Sequence, residues 1–80
     1  MSTMITQAET RVEALFASDL QRSDHVTAED VRTAVSATVS RHGAEGCAAL
    51  VAQEFGEHPE TAVGRMQWVL LVVQDAYAHG

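Results

Sequence analysis

Few side chains in this 80-residue sequence are equipped for chemistry, and their spacing limits what they can do. Cys47 is the one thiol. A nucleophilic cysteine needs a nearby base and an accessible, electropositive setting. Cys47 falls instead on the apolar stripe of a predicted helix, five residues from His42, where a thiol serves as a small hydrophobe. The histidines, His25, His42, His58 and His79, are scattered, and none has a second histidine or a cysteine three or four residues away, as a helical metal site requires. Glu54 and His58 do stand four apart, but Gly56 and Pro59 are expected to break the helix between them and separate their faces. Glu29 and Asp30 fall in the first turn of a predicted helix, where its positive end accounts for paired carboxylates without catalysis. Glycines 43, 46, 56, 64 and 80 form no phosphate-cradling loop, and no Gly-x-Ser-x-Gly elbow occurs. The expectation is a protein that is not an enzyme, with no catalytic residue, metal, cofactor or small-molecule ligand.

Composition narrows the partners. A hydrophobic fraction of 46% with 20% charged residues belongs to a folding chain. Eleven acidic residues against five basic ones give a net charge of −6, which repels phosphate backbones and anionic membranes unless the basic residues cluster. All five are arginines, spread from Arg11 to Arg65. The absence of lysine and asparagine, with Ile5 the sole isoleucine, suggests a high-GC bacterial coding bias. An unpaired cysteine, no basic start with an apolar run at the N-terminus, and a longest apolar run of six residues from Trp68 to Val73 predict a cytoplasmic protein without a membrane span.

Positioning falls to helices. The spacing predicts an all-α, single-domain bundle of about four, over residues 7–21, 28–42, 44–55 and 59–78. Thr6 and Glu9 make a capping box for the first, whose inward stripe is Val12, Leu15, Phe16 and Leu20. Thr27 and Asp30 do the same for the second, with Val26 and Val31 as a hydrophobic staple and Gly43 as its left-handed terminus. Its stripe is Val31, Ala34, Val35, Thr38, Val39 and His42. Cys47, Leu50, Val51 and Phe55 face inward from the third, which Gly56 is expected to end. Pro59 opens the fourth at its first position. Val63, Met66, Val69, Leu70, Val73 and Tyr77 form its inward stripe, leaving Trp68, Leu71 and Val72 as a second apolar face.

Two functional expectations follow. Trp68, Leu71 and Val72 are either buried by a neighbouring helix of the bundle or mark an interface with a partner protein or a second copy, and on the second reading the chain is a small interaction or regulatory module. The alternative rests on Ala52-Gln-Glu-Phe-Gly56 followed by Thr61-Ala-Val-Gly-Arg65-Met66, which resembles the helix-turn-helix of bacterial sigma-factor and repressor domains. That resemblance, within residues 47–66, implies DNA contact through Arg65. The flanking Glu57 and Glu60, and a would-be recognition helix that runs into Trp68-Val-Leu-Leu-Val-Val, depart from such a binder.

Overall fold

A computed structural model describes residues 7–78, which form three α-helices and no strand. They are α1 (Gln7–Ala17), α2 (Ala28–Glu57) and α3 (Pro59–Tyr77), with a 3-10 turn at Arg22–Asp24 between the first two. Thr6, the expected cap of α1, lies outside the described residues. The count of three corrects the expected four. At Gly43 the backbone leaves the helical region, at φ 71° and ψ 168°, as expected of the residue that ends the second helix; the next helical segment follows without a loop, so residues 28–57 count as one kinked element. That conformation is nearly closed to residues with a Cβ.

The ends of the helices have local causes. Thr27 Oγ1 accepts from the Asp30 amide at 3.1 Å and the Asp30 carboxylate accepts from the Thr27 amide at 3.1 Å, completing the predicted box at the start of α2. The far end of α2 runs through Gly56, past the predicted stop, and breaks at His58, which adopts φ −139°, ψ 63°. The residue before a proline is driven out of the helical region, so Pro59 sets this boundary rather than Gly56. His58 closes one helix and opens the next: its amide donates to the Glu54 carbonyl at 2.7 Å, and its carbonyl accepts from Ala62 at 2.8 Å.

α1 ends at Ala17, four residues before the expected limit. Ser18 Oγ donates to the Leu15 carbonyl at 2.6 Å, competing with the next helical amides for that acceptor. The side chain of Arg65 takes up further carbonyls of this turn.

The core is drawn from all three helices: Ala14, Leu15 and Phe16 of α1; Val31, Val35 and Cys47 of α2; Ala62, Val69, Val73 and Ala76 of α3. Phe16 stacks on Phe55 with ring centroids 5.9 Å apart. The predicted stripes of α1 and of the first half of α2 face inward except for His42, which is exposed because it precedes the Gly43 turn. In α3 the buried stripe is rotated by about 60° from the expected one, at 100° per residue. It is centred on Ala62, Val69, Val73 and Ala76, and it leaves Val63 and Leu70 about half exposed, at 48% and 49%. Alanines let α3 approach its neighbours closely along this line.

A Cβ added at Gly43 would meet nothing within 4 Å, so a substitution there is penalised by the backbone alone. Gly43→Ala is expected to lower unfolding free energy by about 1–3 kcal/mol. Gly56→Ala, at a helical glycine with equally open space, should be neutral or stabilising by up to about 1 kcal/mol. Urea titrations of the two variants check the contrast.

Candidate functional site

The residues expected to do chemistry or to bind have distinct fates. Cys47 is sealed, with no exposed surface, and its Sγ lies 4.0 Å from the Thr38 carbonyl across the Gly43 bend. Burial, and then the charge of Glu13, push its thiol above the ordinary range. A thiolate nucleophile requires the opposite environment. Glu54 and His58 come together instead of separating. Because α2 continues to Glu57, His58 Nδ1 stands 3.4 Å from Glu54 Oε1, and with Glu57 they offer three ligand atoms within 4.8 Å of one another. The His58 and Glu54 side chains are open to solvent, and Glu57 also takes a 3.4 Å contact from Gln53 Nε2.

Arg65, the expected DNA contact, turns toward α1. Its Nε donates to the Phe16 carbonyl at 2.8 Å and its Nη2 to the carbonyls of Leu15 and Ser18 at 3.2 and 3.0 Å. The guanidinium also sits 5.5 Å from the Phe16 ring and 5.6 Å from the Trp68 ring. These carbonyls lie at the negative end of the α1 dipole, where Leu15 also accepts from Ser18, and a cation bearing several donors is the group that complements them together. Burial lowers the Arg65 pKa, and Glu54 opposes that shift.

Of the three residues expected at an interface, Trp68 and Val72 pack partly buried against the core, and Leu71 remains 69% exposed. The open apolar surface lies about 140° away around the helix, at 100° per residue. Leu70 and Val63 stand at its centre, and a groove of about 650 Å³ runs beside them between α1 and α3, lined by Ala8, Arg11, Val12, Leu70, Val73 and Tyr77. Arg11 closes one end by stacking over Tyr77, 4.0 Å from the ring centroid. A contiguous apolar depression is lined by Ala8, Val12, Met66 and Leu70 with Glu9 and Glu13. Sequence reasoning missed this face because it placed Val63 and Leu70 in the core. The available signal was Ala62 and Ala76, whose spacing with Val69 and Val73 defines the buried line.

Charge is sparse on this face. Between Thr61 and Gln74 the only ionisable side chain is Arg65, and that one is directed at α1. The exposed polar groups of the stretch are the amides Gln67 and Gln74 and the hydroxyl of Thr61. Glu13 is the exception at the margin. Its Oε1 is withdrawn from solvent without a hydrogen-bond partner, although the rest of the residue reaches the surface. Burial, and secondarily the charge of Glu9, raise its carboxyl above the ordinary value. The folded chain therefore binds this proton more tightly than the unfolded chain does. The resulting stability is fully present below the ordinary glutamate pKa and is lost as pH rises through the folded value.

Arg65→Ala removes three charge-assisted hydrogen bonds and should cost about 2 kcal/mol in chemical denaturation. Arg65→Lys should recover only part of the loss, since one ammonium cannot span three carbonyls. Cys47 should react with a thiol reagent at the global unfolding rate under native conditions and at once in denaturant; fast native labelling would contradict its burial.

Compared with protein-family models, curated proteins and solved structures, the chain matches none.

Proposed function

We propose that this protein is an interaction module that self-associates through the α1/α3 face, with α3 of one copy lying against α1 and α3 of another. The carrying observation is the outward strip of α3, where the exposed Val63, Gln67, Leu70 and Gln74 carry no charge in a chain of net charge −6. Two copies repel wherever their acidic surfaces meet, and the Thr61–Gln74 stretch offers an approach in which like charges meet only at the margin, where Glu9 and Glu13 of α1 line the depression. Gln67 and Gln74 each carry donors and an acceptor, so the same patch satisfies itself across a two-fold axis. A basic partner would find no carboxylate along this stretch to pair with. The face from Val63 to Tyr77 is about 20 Å long, and a pairing that includes the groove beside α1 buries on the order of 1,000 Å² in total. That is the low end for a specific interface, so the dimer is expected to be weak, with a dissociation constant on the order of micromolar or above.

The reading differs from the sequence expectation in its anchors: Leu70 and Val63 replace Trp68 and Val72, and Leu71 stays at the rim. DNA binding draws less support, because Arg65 is engaged within the fold and the break between α2 and α3 falls at His58, with Gly56 helical. No helix among the described residues is long and apolar enough to cross a membrane. A reducing cytoplasm accords with a lone buried thiol.

Sedimentation equilibrium tests the proposal. The mass of the wild-type chain should rise with concentration toward twice the monomer. Leu70→Glu should hold the mass at the monomer value with helicity unchanged, whereas Trp68→Ala should lower stability and leave association largely intact. A wild-type mass independent of concentration would end the reading.

A further inference from the structure

Glu13 has no evident place in a purely apolar contact. Its α1 position puts it at the margin of the depression formed by Ala8, Val12, Met66 and Leu70, and its Oε1 is already out of water with no donor to satisfy it. Among the described residues no cation is paired with it. Glu9 on α1 adds a like charge, α2 contributes the buried thiol of Cys47, and α3 contributes the apolar side chains of Met66 and Leu70. An ionised oxygen in this setting is tolerated only because the rest of the carboxylate still reaches solvent.

We propose that closure of the α1/α3 face on a second copy is coupled to proton uptake by Glu13, so that the protein assembles more tightly as the pH falls. The inference rests on the self-association reading above and specifies its regulation. A second copy laid over the groove removes the water that still solvates the carboxylate, and two symmetry-related Glu13 groups are brought to the same interface. Both effects favour the neutral acid in the dimer more than in the monomer. The linkage sign follows: the dimer binds more protons than two separate monomers, so its dissociation constant falls as pH drops between the two pKa values. The limit is about tenfold per pH unit for each proton taken up.

The experiment compares the dissociation constants of wild type, Glu13→Gln and Glu45→Gln by sedimentation at about pH 7.5 and about pH 5 at fixed ionic strength. The fall in net negative charge at the acid pH acts on all three alike, and Glu45→Gln, at an exposed position on α2, controls for loss of one negative charge. Wild type and Glu45→Gln should show a dissociation constant lower by about tenfold or more at the acid pH than any change shared with Glu13→Gln. Glu13→Gln should already be the tighter dimer at about pH 7.5. Circular dichroism checks that each variant is folded, and proton release on diluting wild-type dimer at about pH 5.5 gives the same readout without a substitution. A dimer whose pH dependence survives in Glu13→Gln, with no proton release on dilution, overturns the coupling and leaves self-association standing. A monomer at both pH values in every variant overturns both.

Discussion

Helix ends dominate the organisation of this fold. Each α-helix leaves its last carbonyls without amide partners, and none of the three here carries a basic residue in its own last turn. Arginines from other helices meet two of these ends. Arg65 of α3 gathers three carbonyls around the end of α1, and Arg32 of α2 donates to the Ala76 carbonyl at 3.0 Å near the end of α3. Arg11 adds a stack on Tyr77 that ties the start of α1 to the last turn of α3. A chain poor in cations thus uses three of its five arginines as ties between sequence-distant elements.

The Arg65 tie sets the rotation of α3. With its guanidinium held against α1, the residues flanking it on the helix, Ala62, Val69 and Val72, turn toward the bundle, and Val63, Gln67 and Leu70 turn away. The alanines then pack where larger side chains had been expected. An apolar, uncharged strip facing outward is the geometric counterpart of an arginine facing inward. The proposed dimer and its proton coupling use that strip and the carboxylate at its edge.

Much of the fold is legible in the sequence where a local rule acts alone. Thr27 with Asp30, Pro59 at the first position of α3, and Gly43 with positive φ each depend on residues within four positions of one another. The failures occur where distant groups intervene. The end of α1 is governed by a side chain almost fifty residues away, and at Gly43 two helical segments meet without a loop, which makes one kinked element of the two expected helices. Gly56 is expected to end the third helix and does not, because proline constrains its predecessor sterically whereas a glycine merely permits a turn. That same error hid the Glu54–His58 contact. In the candidate interface, the inward stripe expected for α3 takes in Val63 and Leu70, which stand half exposed, and leaves Trp68 open between core and interface, where the structure packs it partly against the core. Close helix contact rewards small residues, so Ala62 and Ala76 carried the information.

The central claim is that the outward strip of α3 meets its own copy. The most direct measurement is intermolecular dipolar coupling between nitroxide labels at Gln74→Cys, with Cys47 protected by burial and Glu45→Cys as a distant reference. The account predicts a defined short distance between copies for the label at position 74 and a longer or absent coupling for the label at position 45. Coupling that is absent at 74, or stronger at 45, would contradict it.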